Sequence, residues 1–167
     1  AQERVSQILE SRDSALTTMA FAVDDIQNSH HLFSRRGLEP SDITNGTSTN
    51  LLDGTSRERQ KFRCNDGRCA GVKTFILERA KASLISRAVN DIKLDHLVIN
   101  TPNPERAIAH YGARLGIRFA LDRTIEKFGT RFLFFKLGEV VLEIIHNTKS
   151  PHDINNRDEI WGLTWKG

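Results

Sequence analysis

LDHLVINT (residues 94–101), then PNPERAIAHYGARLG (102–116), and later VVLEIIHN (140–147), is the stretch whose reading decides the fold. The first and last segments are apolar, β-rich runs that read as strands, and each carries one polar side chain at its centre: His96 in the first, Glu143 in the last. Between them, Asn103 caps a helix, Pro104 takes its first position, and Ile108, Tyr111 and Leu115 recur at helical spacing until Gly116 ends it. IRFALDRTIE (117–126) and TRFLFFKLG (130–138) supply two further strands, with glycines at the turns. A carboxylate inside an apolar strand is costly unless it is paired, hydrogen-bonded or bound to a cation. His96 and Glu143 therefore form a candidate metal pair, and the rest of the chain can be searched for the missing ligands.

Working outward, the N-terminal half repeats this order. TTMAFAV (17–23) is a strand, Asp24-Asp25 caps a helix over IQNSHHLFSRR (26–36), and Gly37 stops it. Asn45-Gly46 and Asp53-Gly54 mark turns, and KFRC-NDG-CAGVKTFILE reads as a hairpin ending in a strand. The reading is an α+β chain of paired βαβββ modules: an N-terminal helix over 1–14 with Val5, Ile8 and Leu9 on one side, a first module over 15–80, a connector over 81–92, a second module over 93–150 and a tail over 151–167. When the halves are overlaid, Thr18 falls at His96, Asp24-Asp25 at Pro102-Asn103, and Glu78, closing FILE, at Glu143, closing VLE. The tail NNRDEIWGLTWKG resembles the opening of another first strand; the plainer alternative has Trp161 and Trp165 covering the edge of the core.

Composition narrows the function classes. The 167 residues carry 24 Lys and Arg against 21 Asp and Glu, spread along the whole chain without an aromatic-interleaved basic stripe, which argues against nucleic acid as partner. No apolar run reaches membrane-spanning length and no signal peptide opens the chain, so the expected setting is cytoplasmic. Phosphate-cradling glycine loops, serine-hydrolase elbows and Cys–His catalytic motifs are missing from the sequence. Cys64 and Cys69 flank a turn and read either as a disulfide or as two reduced thiols, the latter preferred in the cytosol.

Paired βαβββ modules with His on a first strand and Glu on a last strand resemble the vicinal oxygen chelate superfamily, which includes glyoxalase I, bleomycin resistance proteins and extradiol dioxygenases. LDHLVINTPNPERAIAHYGARLGIRF with VVLEII is similar to one such module, and MAFAVDDI with GVKTFILE to another. The resemblance implies an open, cup-shaped mixed sheet in which both modules feed ligands to one divalent ion (zinc, nickel, cobalt, manganese or iron). Carried over, the ligands are His96, Glu143 and Glu78, with Glu78 or Glu143 doubling as catalytic base, and the fourth position falls on Thr18, a poor ligand beside imidazole. The implied function is a metal-dependent lyase or isomerase acting on a small carbonyl or oxyanion substrate through a stabilised enolate. The alternative is a metal-free module that sequesters a small hydrophobic or anionic molecule; an iron-dependent ring-cleaving oxygenase would want a second histidine. A homodimer is expected.

Other residues are read more plainly. Arg114, Arg118, Arg123 and Arg131 surround the second module, one or two of them facing the cup to hold an acidic substrate. Phe132, Phe134 and Phe135 straddle both faces of one strand. His30 and His31 are adjacent on a helix, so their rings diverge; His110 reads as exposed, and His146 has no role in the cup. Asn45-Gly46-Thr47 matches a glycosylation sequon without other signs of secretion.

Overall fold

The computed structural model describes residues 6, 10, 15–79, 92–150 and 156–167; the N-terminal helix expected over 1–14 and the connector over 81–92 fall almost wholly outside them. Both modules are present, each an open mixed sheet under a helix. In the first, β1 (Thr18–Val23) leads through α1 (Ile26–Arg35) to β2 (Thr44–Thr49), β3 (Ser56–Arg63) and β4 (Lys73–Glu78), in the sheet order β1-β4-β3-β2. Asp25 caps α1 by accepting from the Asn28 amide, and Gly37 turns the chain away at φ +71°. In the second module, β5 (Lys93–Asn100) leads through α2 (Pro104–Ala107) to β6 (Arg118–Ile125), β7 (Thr130–Leu137) and β8 (Val140–Asn147). β5 runs parallel to β8 as β1 does to β4, which repeats the topology in both halves.

Three local features differ from the sequence reading. Asn45-Gly46 is not a turn: it lies inside β2, paired with Gln60 and Arg59 of β3, and the Lys61 side chain crosses the space a Cβ at Gly46 would fill. The turn falls instead at Asp53-Gly54, where Gly54 takes φ +70° and Asp53 accepts from the Thr55 amide and hydroxyl. The second module's helix does not stay α-helical. After Ala107 it widens into a π-helical segment over Ile108–Arg114 that buries the adjacent His110 and Tyr111 together, which a regular turn would splay about 100° apart. His110, expected at the surface, is 2% exposed. The cysteines lie in the 64–72 connection, both free and fully buried.

The tail forms β9 (Glu159–Lys166), which pairs antiparallel with β5 and completes the order β6-β7-β8-β5-β9. The two modules therefore keep separate sheets, with β9 rather than β1 on the edge of β5. Trp161 and Trp165 are 68% and 59% exposed and do not cover the core edge. The first module instead packs Met19 and Val72 into the second module's core, around Ile99, Tyr111, Leu133, Phe135, Leu142 and Ile144. The 64–72 connection fastens this contact: Arg114 donates to the Arg68 carbonyl, and the Asp158 amide donates to Ala70 O at 2.9 Å. Beneath it the Asp158 carboxylate accepts from Thr101 Oγ1 (2.7 Å), an Arg106 guanidinium nitrogen (2.8 Å) and the Tyr111 hydroxyl (3.2 Å). Burial pushes the Asp158 carboxyl above its usual pKa against the pull of these donors, and pushes the Tyr111 phenol well up. Among the described residues no helix is long and apolar enough to cross a membrane.

Candidate functional site

The pleat sorts the second sheet's side chains. Leu97 and Ile99 on β5, Leu142 and Ile144 on β8, and Leu133 and Phe135 on β7 join the core under the helix. Alternation then turns His96 and Val98, Val141, Glu143 and Ile145, and Phe132 and Phe134 to the opposite, open face. In register, Glu143 lies between Val98 and Phe134. His96 and Glu143, which the sequence put forward together, meet here: His96 Nε2 is 3.2 Å from Glu143 Oε2, with the side chains 25% and 15% exposed.

A second carboxylate completes the arrangement. His96 Nδ1 lies 2.9 Å from Asp95 Oδ2, and the Lys166 ammonium of β9 lies 3.2 Å from Asp95 Oδ1. Lys166, Asp95, His96 and Glu143 thus form one chain of contacts, with the imidazole between two carboxylates. The hydrogen bond from His96, with Lys166 second, holds the Asp95 carboxyl below the usual aspartate range. Asp95 reaches this face because the β5–β9 register shifts between Leu94 and His96. Sequence reasoning passed over Asp95 and Lys166; the Asp-His adjacency was a signal for the first, whereas Lys166 is legible only through the long-range pairing of β9.

Glu78 is placed elsewhere. On β4, Ile76 is buried under α1, and Glu78, two residues on, turns to that same side. Thr18 does hold the position of His96: Ala20 pairs with Phe75 as Val98 pairs with Glu143, so the counterpart of Glu143 in the first module is Phe75. A residue three positions beyond that counterpart must face the other way. Among the described residues no three His, Cys, Asp or Glu side chains converge as a metal would require. One imidazole and one carboxylate are fewer protein donors than a catalytic zinc site uses, so these residues do not by themselves fit a resident divalent ion.

The four arginines divide by face. Arg123 pairs with Phe132, and Arg118 with Lys136, so both belong to the open face. Arg131 turns to the helix side, bound to Asp122 (2.8 Å) and Glu105 (2.6 Å), and Arg114 is engaged with the Arg68 carbonyl. Phe132 and Phe134 stack with ring centroids 6.3 Å apart and nearly parallel planes, giving the open face a flat apolar floor beside Glu143; Phe135 is core. His146, buried on the helix side, bonds the Thr101 carbonyl through Nδ1 at 2.9 Å.

The segment holding this arrangement, residues 93–163, matches the family described as the Glyoxalase/Bleomycin resistance protein/Dioxygenase superfamily. Residues 93–163 belong to that superfamily. Among solved structures, a hypothetical protein from Staphylococcus aureus aligns over 87% of this chain and 58% of its own, at 8% identity and a TM-score of 0.66. A mutant 4-hydroxymandelate synthase from Streptomyces coelicolor aligns over 97% of this chain and 51% of its own, at 12% identity and a TM-score of 0.58. The chain thus spans between half and three-fifths of these structures, and the likeness is one of fold. No curated protein sequence matches it. Within the glyoxalase-like frame, the second module carries the polar groups on its open face, and the first offers Thr18 and Phe75 at the matching positions.

Proposed function

We propose that this chain binds a small apolar molecule on the open face of the second module without a resident metal ion, Glu143 engaging a hydroxyl or amine of the ligand. The observation that carries this reading is the register match that sets Thr18 and Phe75 opposite the roles of His96 and Glu143, so that the first module contributes no ligand pair. Glu143 Oε2 faces His96, and its other oxygen is left to accept from a ligand. The Asp95–His96 pair holds the carboxylate in position from one side, and Phe132 and Phe134 supply the surface for a ring or alkyl body. Arg118, Arg123 and Lys136 at the rim favour a ligand that also carries negative charge.

The metal-dependent lyase or isomerase is the second reading. His96 and Glu143 supply the right donor types for it, but it requires at least one further donor from beyond the described residues. Calorimetric titration with 4-methylphenol and with toluene tests the first reading, the two probes differing only in a donor hydroxyl. Saturable binding of 4-methylphenol that exceeds that of toluene, and that weakens by about tenfold or more in Glu143→Gln, is expected, since a hydrogen bond to a charged group is worth about 1.5–3 kcal/mol. Equal binding of both probes, or indifference to Glu143→Gln, would overturn it.

A further inference from the structure

The first module's sheet is divided by charge. Along β3, Phe62 is buried under α1 with Ile76 of β4 opposite it, so Glu58 and Gln60 share that side. Alternation turns Arg57, Arg59, Lys61 and Arg63 to the other, open face. Register carries this face across the sheet: Arg63 lies opposite Phe75 and Lys61 opposite Leu77, and these lie opposite Ala20 and Ala22 of β1. Lys73, two residues before Phe75, joins them, while the β2 positions facing the same way, Thr44, Gly46 and Ser48, are uncharged. Along the described strands of this module the open face therefore carries five cations and no carboxylate, and Glu58 and Glu78 fall on the face under α1.

These cations do not all reach out into water. Asp66 takes Arg63 at 2.6 Å, and Arg57 feels Asp53 across the β2–β3 turn. Arg59, Lys61 and Lys73 are half-buried, and among the described residues none of them has a carboxylate partner. Arg59 Nε is closed off from water without a hydrogen-bond partner among the described residues. Lys61 lies flat along the sheet, its ammonium 3.0 Å from where a Cβ at Gly46 would stand, and the Lys73 ammonium sits 5.9 Å from the centre of the Phe75 ring. Cations two residues apart on a strand stand about 6.6–6.8 Å apart, inside the ~8 Å over which physiological salt screens, so a row without counter-charge repels itself. An anion lying on the face between Arg59 and Lys61 removes that repulsion.

We propose that the open face of the first module binds a phosphate monoester of an apolar or aromatic alcohol, the phosphate between Arg59 and Lys61 and the organic body on Phe75 and Leu77. A phosphate monoester carries about −1.5 to −2 charges at neutral pH, enough for both cations, where one carboxylate would match only one of them. The guanidinium fork suits two phosphate oxygens and the ammonium a third. Ala20 and Ala22, small and exposed, leave room above the apolar floor. This site lies on the other module from Glu143 and stands independently of the reading given for that residue. Calorimetric titration of the full chain at low ionic strength with 1-naphthyl phosphate and with inorganic phosphate tests it, the far-ultraviolet circular dichroism spectrum reporting whether each variant folds. The ester is expected to bind saturably and about tenfold or more tighter than inorganic phosphate. Arg59→Gln and Lys61→Gln should each weaken it by about tenfold or more, while Arg35→Gln, which removes an exposed cation of α1, leaves it unchanged. No saturable binding, equal binding of the two phosphates, or an equal loss in Arg35→Gln would overturn the assignment. So would a loss in Lys136→Gln with none in a folded Arg59→Gln, which would put the ester on the second module.

Discussion

His110 makes this fold sensitive to acid over a defined range. The ring is 2% exposed in the π-helical segment, stacked edge-on against Tyr111 at 4.6 Å, and among the described residues neither ring nitrogen has a hydrogen-bond partner. Burial, and then the charges of Arg114 and Arg106, depress its pKa from 6.5 to about 4. The unfolded chain takes up the proton at a higher pH than the folded one, so stability is complete above the unfolded value and falls as pH drops from about 6.5 towards 4. The loss over that range is about 3 kcal/mol. Asp158, whose pKa is raised, acts with opposite sign near the acid end, so the comparison with a variant isolates the histidine. Replacement with leucine removes both the titration and two unpartnered buried nitrogens. Urea unfolding at pH 4.5 and pH 7.5 is the assay: His110→Leu should be more stable than the parent at both pH values, by about 1–3 kcal/mol at pH 7.5, with the gap widening at pH 4.5. A gap that stays constant between the two would show that the buried ring takes up its proton at the same pH as in the unfolded chain.

Two further substitutions test the joint between the modules. Asp158→Ala removes the buried carboxylate on which Thr101, Arg106 and Tyr111 converge; a loss of about 3–5 kcal/mol is expected in denaturant unfolding. Gly71→Ala places a Cβ at φ +87° and 2.6–2.8 Å from the Arg157 side-chain stem, and should cost about 1–3 kcal/mol. In an Arg157→Ala background the part of that cost due to the Arg157 Cγ and Cδ should go, while the contact with Cβ at 2.8 Å and the backbone part remain, read from the same unfolding curves.

Much of the architecture was legible because strand pleat and helix period write themselves into apolar spacing. The caps at Asp25 and Asn103 and the alternation in VVLEIIHN each reported a local rule that the tertiary structure obeys, and Ile108, Tyr111 and Leu115 still meet the core although the helix widens there. The His96–Glu143 contact needed one thing more, the register of β5 against β8, which sets Val98 opposite Glu143 and so puts His96 on the same face. What escaped was non-local. The endings FILE and VLE look alike, but register is set by which residues of β4 lie against β1, and that pairing gives Phe75 the place the text of the sequence offered to Glu78. Asn45-Gly46 has the chemistry of a hairpin turn and was overruled by pairing with β3. The burial of His110 depends on the widened helix, and the Lys166–Asp95 contact on a strand more than sixty residues away; neither has a local signature.

In the proposed reading His96 and Glu143 serve a bound organic molecule without a resident ion. Calorimetric titration of the purified, metal-stripped protein with nickel, zinc, cobalt, manganese and iron(II) tests it most directly, with His96→Ala as the comparison. Only weak binding, the same in both proteins, is expected. About one equivalent of any of these ions held at submicromolar affinity, and lost in His96→Ala, would contradict it.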